Sequence, residues 1–287
     1  MTLSETEYAL QLETLGHQVH ANGSVWWKTK YPLFCEPAFE FRCFEPGAAR
    51  PRASKAVLGY AHRVPEAGRS NRVIEYMVLD GDDLRGFSMA RLGQKKRNQA
   101  RQGLKRCQVS KLQTLTPWLE DLRRINISQA ERLLMDTTFD TPPSDYVKHA
   151  EAWRSRMTTA FALPGRDWWG AFADGKLVAY LVTLSVENTL CIETSKAHTE
   201  ALKLRPNDAL YCTVLENAAQ DPDCRQIMNS PASRGSLDHF KEEFLFEKRP
   251  LYFYNSQPRL RRVLGSLARA RKMLACRLRA RCSRKIA

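Results

Sequence analysis

The sequence has 287 residues, 43% of them apolar and 26% charged. That size and balance suit one large unit or two modest ones and exclude a mostly disordered chain. The formal net charge is +14, but eleven basic and no acidic residues fall between Arg259 and the end. That leaves +3 for the rest, so the body is only mildly basic and the tail is the polycation.

The eight cysteines include no Cys-x-x-Cys pair and none has a His at zinc-ligand spacing. They read as reduced, mostly buried thiols of a cytoplasmic protein, with no metal expected. The first residues carry neither the basic nor the apolar stretch of a signal peptide. The longest apolar run, Leu177 to Val186, is far short of a membrane span and suits a buried strand.

In chain order, Glu5 to Leu15 reads as a short amphipathic helix with Tyr8, Leu12 and Leu15 on one side. Asn22-Gly23 is a turn signal, followed by a strand over Ser24 to Lys28. Ala48 to Ser54 is a loop, and strands are expected over Val57 to Val64 and Arg72 to Leu79. A basic helix follows, from about Met89 to Cys107. Thr116-Pro117 opens a further helix, and two prolines break the chain between Thr137 and Ser144. Asp145 to Phe161 is helical by the spacing of Tyr146, Ala150, Trp153 and Met157.

Beyond Gly165 the pattern changes. Asp167 to Ala173 and Leu177 to Val186 form a hairpin around Asp174-Gly175, and Thr189 to Thr194 is a third strand. Arg205-Pro206-Asn207-Asp208 opens a helix that runs to about Ala219. A strand over Arg225 to Asn229, a short helix over Leu237 to Phe244 and a last strand over Arg249 to Tyr254 complete the body. In the tail, Leu260, Leu264, Leu267, Leu274 and Leu278 lie near one helical stripe among arginines. A basic amphipathic helix of this kind suits anionic lipid or RNA, although a solvated tail reads equally well.

This order of elements resembles a GNAT acyltransferase. Three patterns sharpen the resemblance toward the Fem-type and BioF2-like branch: the Asp174-Gly175 hairpin that starts from Trp169-Gly170-Ala171-Phe172; Leu204-Arg205-Pro206-Asn207-Asp208-Ala209-Leu210 at a strand-to-helix junction; and Phe240-Lys241-Glu242-Glu243-Phe244-Leu245-Phe246. The last is similar to a Phe-Lys-x-x-Phe-Gly-Phe signature, with Leu245 where the signature has Gly. The first half fits too, because Lys95-Lys96-Arg97-Asn98-Gln99-Ala100-Arg101-Gln102-Gly103-Leu104-Lys105-Arg106 resembles the basic helix that ends the first unit of Fem-type proteins.

The resemblance implies an α/β (α+β) fold of two GNAT-like units, each a mixed, mostly antiparallel sheet flanked by helices. It assigns residues 1–115 to a degenerate first unit, 116–256 to a donor-binding unit and 257–287 to a basic tail. It also implies transfer of an acyl or aminoacyl group to an amine or hydroxyl. Acyl-CoA or aminoacyl-tRNA would be the co-substrate, and no cofactor would be held permanently.

By position, the donor's pyrophosphate would sit at the helix start formed by Arg205, Asn207, Asp208 and Ala209, where free amides and the helix dipole favour phosphate. The glycine-rich loop of acetyl-CoA enzymes is absent there, and Pro206 removes one N–H. The same residues also read as an ordinary Pro-started helix. Arg97, Arg101 and Lys105 recur every four residues, a cationic row for a phosphorylated acceptor or a tRNA backbone, or else a solvated face. Arg234 is a further phosphate-binding candidate and could line the cleft together with Ser230.

For the chemistry, Glu193 is the candidate base, Tyr211 and Tyr254 are candidate proton donors, and Lys241 is a candidate contact to the acyl group or else a cap on the neighbouring strand. His198 is a further candidate. The competing reading is a non-catalytic protein on a GNAT scaffold that binds tRNA or an anionic membrane surface through its tail. The expected location is the cytoplasm, at most peripheral to the inner membrane surface.

Overall fold

The computed structural model describes residues 2–133, 143–232 and 235–257. The predicted breaking loop between Thr137 and Ser144 lies mostly outside these residues. Arg234 and the predicted tail helix lie wholly outside them.

Ser4 starts the first helix, α1 (Glu5–Thr14), with a capping box. Its hydroxyl accepts from the Glu7 amide at 3.3 Å, and the Glu7 carboxylate accepts in return from the Ser4 amide at 2.7 Å. Three short strands follow, β1 (Val19–Asn22), β2 (Val25–Tyr31) and β3 (Phe34–Pro37). Gly23, at φ 62°, makes the tight turn between the first two. Strands β4 (Gly59–Val64) and β5 (Arg72–Asp80) lead into α2 (Gly81–Arg85), α3 (Gln94–Arg106) and β6 (Gln108–Lys111).

Next come α4 (Leu119–Leu133), α5 (Pro143–Lys148) and α6 (Ala150–Ala162). The chain then forms β7 (Arg166–Ala173), β8 (Lys176–Val186) and β9 (Thr189–Ala197), followed by α7 (Pro206–Gln220), β10 (Gln226–Pro231), α8 (Ser236–Glu242) and β11 (Glu247–Asn255).

The strands form one sheet in the order β1-β2-β3-β4-β11-β5-β10-β9-β8-β7-β6. Its pairings are antiparallel except β3 with β4 and β9 with β10. This is the expected class, a mixed, mostly antiparallel sheet flanked by helices. Residues from the two halves interleave within it. β11 lies between β4 and β5, β10 pairs with β5, and β6 pairs with β7.

Both faces of the sheet are covered. On one, α3, α7 and α8 bury Met77, Leu181, Leu210, Leu215 and Phe244. On the other, α4 and α6 cover Trp168, Tyr180 and Val182, while the region around α1 covers Leu184, Val186 and Met228.

The longer predicted elements are present, with shifted ends. β9 runs on to Ala197 rather than stopping at Thr194. The predicted helix from Met89 begins as a 3-10 turn, and α3 proper starts at Gln94. The predicted helix over Asp145 to Phe161 is two helices, because His149 (φ −117°, ψ 34°) leaves helical geometry between them.

Candidate functional site

β9 and β10 are neighbours only at their beginnings. The pairing is Thr189 with Gln226, Leu190 with Ile227 and Cys191 with Met228, and it stops there. Both strands then carry an irregularity. In β9, Thr183 faces Ile192 and Val182 faces Thr194, so Glu193 is the extra residue of a bulge. In β10, Met228 pairs with Val78 and Pro231 with Tyr76, so Asn229 and Ser230 stand opposite a single residue of β5. Bulges bend and overtwist a strand, and two at one level drive the strands apart. Backbone amides and carbonyls beyond Cys191 and Met228 that would have paired across the sheet now face a gap.

Tyr211, on α7, stands under the gap. Its hydroxyl accepts from Asn229 Nδ2 at 3.1 Å and lies close enough to Ser195 to feel its hydroxyl, so one phenol stands between the two parted strands. Burial raises its pKa, so it stays protonated. Phe240 and Phe244 pack on its ring, with centroids at 5.1 and 5.5 Å. On the same helix as Phe240, Lys241 is 2% exposed and its ammonium donates to Ser230 Oγ at 2.5 Å. Burial lowers the lysine pKa, and nearby Asp238 offsets part of that. Leu245 takes φ 67°, so the position where the Fem-type signature has Gly does adopt the left-handed conformation that favours Gly.

The start of α7 lies beside these groups. Arg205 is its N-cap, itself left-handed at φ 61°, and exposed. Asn207 has a buried Oδ1 without a hydrogen-bond partner. Asp208 is buried and bonded at 2.8 Å to Lys96, which also meets Glu243 at 2.9 Å and lies 4.3 Å from the centre of the Phe240 ring. Ala209 gives its amide to the Arg205 carbonyl at 3.2 Å.

One side of this helix start is covered by α3. A Cβ on Gly103 would lie 2.5 Å from the Arg205 carbonyl oxygen. The other side opens on a cleft of about 350 Å³ whose lining includes Lys96, Arg205, Asn207, Asp208, Phe240 and Glu243. Of the four predicted donor-binding residues, Arg205, Asn207 and Asp208 therefore line the cleft, although the Asn207 Oδ1 is itself buried. Asp208 and Ala209 are engaged by the protein.

Glu193 is on the opposite face of the sheet. Both its oxygens are held by Arg166, at 3.0 and 3.2 Å, and Arg166 is held in turn by Gln11 of α1 at 2.7 Å. Proton transfer to Glu193 would first require that pair to open.

Further along the same face is a second cleft, of about 820 Å³, between the sheet and α4–α6. Its floor is a hydrogen-bonded group. Asn126, 3% exposed, donates to the Leu122 carbonyl at 2.7 Å and to the Tyr180 hydroxyl at 2.9 Å, and accepts from Lys196 at 2.7 Å. Thr194, Tyr146 and Trp153 also line it.

The remaining candidates fall elsewhere. Arg97 donates to the Ala90 carbonyl, and Arg101 and Lys105 point outward from α3. Tyr254 belongs to an aromatic cluster with Tyr60 and His62, across the sheet from the gap. The His198 amide bonds Val178 as the chain leaves β9.

Sequence reasoning missed Lys96, Asn126, Arg166 and Lys196. Lys96 was legible: with Ala100, Gly103 and Cys107 it forms a stripe at helical spacing, and the last three are small residues that mark a buried face. Asn126 was likewise a polar residue beside Leu122 and Ile125 on an apolar stripe. Among the described residues no group of three or more His, Cys, Asp or Glu is placed to hold a metal ion, and no helix is long and apolar enough to cross a membrane.

No protein-family model matches the chain, and no curated protein matches it in sequence. Solved structures do match. The C-terminal domain of a protein described as a lysylphosphatidylglycerol synthetase from Agrobacterium fabrum is 11% identical. The match covers 92% of this chain and 95% of that one, with a TM-score of 0.58. L-PGS from Bacillus licheniformis is 13% identical over 94% of this chain and 97% of that one, at 0.55. FemX is 10% identical over 90% and 93%, also at 0.58. Such identities show the fold alone. It is the GNAT fold in the arrangement that FemX shares, as the sequence motifs implied.

Proposed function

We propose that this chain is a transferase that moves an acyl or aminoacyl group from a phosphate-bearing donor, acyl-CoA or aminoacyl-tRNA, to an amine or hydroxyl. The observation that carries this is the gap between β9 and β10 beside the start of α7. Acyl transfer needs a neutral nucleophile, a polarised carbonyl and a protonated leaving group, all brought together in one place. Backbone amides released along the gap are fixed donors for the carbonyl oxygen as it gains charge. Lys241, with its pKa lowered by burial and Ser230 as partner, is suited to exchange a proton with the reacting groups. Tyr211 holds the gap, and the Arg166–Glu193 pair fixes the bulge that opens it.

In this reading the donor's phosphates meet Arg205 and Asn207 at the open side of α7, with Arg97, Arg101 and Lys105 further out. The first unit, residues 1–115, braces the second, residues 116–256, on both faces. Gln11 reaches the Glu193 bulge from one side, and Lys96 and Gly103 reach the start of α7 from the other.

A second reading, a binding protein for RNA or anionic lipid, draws on α3. Among the described residues, Lys95, Arg101 and Lys105 form no ion pair, and α3 contains no acidic residue. Thermal unfolding separates the two. Under the transferase reading, a CoA thioester raises the midpoint where the free acid does not, or a charged tRNA raises it more than the uncharged tRNA does. Equal binding of charged and uncharged RNA, with no response to any thioester, supports the binding reading.

A further inference from the structure

We propose that Ser230 is a nucleophile with Lys241 as its base, so that the transferred group passes through an ester on Ser230 before it reaches the acceptor. The word transferred rests on the transferase reading, whereas the reactivity of Ser230 rests on the pair itself.

Ser230 lies beyond Met228, where β10 has lost β9 as its neighbour. The bulge sets Asn229 and Ser230 opposite a single residue of β5 and turns both side chains to one face of the sheet. There Asn229 meets Tyr211 of α7, and Ser230 meets Lys241 of α8. Pro231 follows and keeps the Ser230 backbone out of helical geometry, within the strand. A half-buried hydroxyl is thereby fixed at the rim of the gap, on the side where α7 begins.

Lys241 has the surroundings of a base. Its Nζ lies 2.5 Å from Ser230 Oγ, which is its one hydrogen-bond partner among the described residues. An ammonium buried with a single partner is costly, because its other N–H groups have lost water and gained nothing. A neutral amine is cheaper to bury, and its lone pair can accept from the hydroxyl. Burial is the larger influence on this lysine and favours the neutral form; the carboxylate of Asp238 opposes it by less. Ser230 Oγ also lies 3.1 Å from the Pro231 carbonyl. A turn about the Cβ–Oγ bond swings its proton from that oxygen to Lys241. A tie between α8 and β10 alone needs no titratable group, and an apolar side chain at 241 would be buried at lower cost.

Nucleophile and base within hydrogen-bond reach are the requirement for covalent catalysis, and a Ser–Lys pair is a known form of it. Ser230 Oγ bonds to the acyl carbon of the donor while its proton passes to Lys241. The bond from that carbon to the CoA sulfur or the tRNA ribose oxygen breaks, its electron pair leaves on that atom, and Lys241 returns the proton to it. The acceptor's amine or hydroxyl then attacks the seryl ester and gives its proton to Lys241. Ser230 leaves with the electron pair of the ester bond and takes that proton back.

The test needs neither the natural donor nor the acceptor. p-Nitrophenyl acetate is incubated with the wild type, Ser230→Ala, Lys241→Arg and Lys241→Met, and the acetylated site is found by peptide mass spectrometry. The wild type is expected to carry one acetyl group on the peptide that holds Ser230, as an ester that alkaline hydroxylamine removes. Ser230→Ala is expected to lose it. Lys241→Arg keeps a cation that donates to Ser230 but cannot take its proton, so a structural tie would survive while the acetylation rate falls about 100-fold. Lys241→Met is expected to fall as far. The labelled site in the wild type and its loss in Ser230→Ala decide the matter even if the Lys241 variants do not fold. No ester on Ser230, or labelling undiminished in Lys241→Arg, overturns the proposal. A thioester or charged tRNA that still raises the unfolding midpoint would then leave the transferase reading in place, with direct transfer from donor to acceptor.

Discussion

Asn229 on β10 donates its side-chain amide to the hydroxyl of Tyr211 on α7 at 3.1 Å, one residue past the point where β10 loses β9 as its neighbour. The same hydroxyl faces Ser195 of β9, so it stands between the two strands. Tyr211→Phe keeps the ring packed on Phe240 and Phe244 and removes only this hydroxyl. The expected loss of stability is about 1 kcal/mol, from the half-buried Asn229 amide that loses its partner. The gap is where the reacting groups must be held, so kcat/KM is expected to fall by about 10-fold or more. Urea unfolding and steady-state kinetics measure the two effects side by side.

Lys96 lies 2.8 Å from Asp208 and 2.9 Å from Glu243, its side chain is 4% exposed, and the His239 ring stands 3.8 Å from Glu243 on the exposed side. Lys96→Met leaves both carboxylates without that partner, one of them buried. The expected destabilisation is about 3–5 kcal/mol. The triple variant Lys96→Met, Asp208→Asn, Glu243→Gln removes the charges together and is expected to recover most of the loss, as denaturant midpoints will show.

The longer elements were legible because their signals are local. Asp174 and Gly175 turn β7 into β8 at φ 49° and 72°, Pro206 opens α7, and Phe240, Lys241 and Phe244 lie in order around α8. What was not legible depends on distant partners. β6 has four residues of mixed polarity and is a strand only because Gln108 meets Phe172, far along the chain. The row Arg97, Arg101, Lys105 was visible as charge and the buried face of Lys96, Ala100 and Gly103 as a stripe, but the pairing of Lys96 with Asp208, 112 residues away, was not. Glu193 drew attention as an acid near a strand end, but its partner Arg166 is set by strand register, which its own segment does not encode.

Gly103 is in the middle of α3, where Ala would gain about 1 kcal/mol of helix propensity. A Cβ there would lie 2.5 Å from the Arg205 carbonyl oxygen and 3.1 Å from the Ala209 nitrogen, both backbone atoms that cannot swing aside. The clash outweighs the propensity, so Gly103→Ala is expected to destabilise the protein and to weaken donor binding by displacing the start of α7. A higher unfolding midpoint in this variant would mean that α3 and α7 are not in contact as described.

His62 is 1% exposed and stacked on Phe44 at 4.0 Å, its Nδ1 lies 2.9 Å from the Arg63 carbonyl, and its Nε2 is buried without a partner. Burial lowers its pKa below the usual 6.5. As pH falls through 6.5 the unfolded chain takes up the proton first, so the stability that neutral His62 contributes is complete above that pH and declines below it. His62→Phe keeps the stacking and removes the titration. Unfolding free energy measured from pH 7.5 to 5 is expected to fall less steeply in the variant, and identical slopes would show that His62 titrates normally.

The central claim is that the donor is held where β9 and β10 part. Hydrogen exchange read by mass spectrometry tests it most directly, with CoA thioesters and charged tRNA added in turn. The account predicts that a donor which binds slows exchange in three segments together: Ile192–Ala197, Asn229–Pro231 and the first turn of α7. Protection confined to other parts of the chain, with these three segments unchanged at saturating donor, would contradict it.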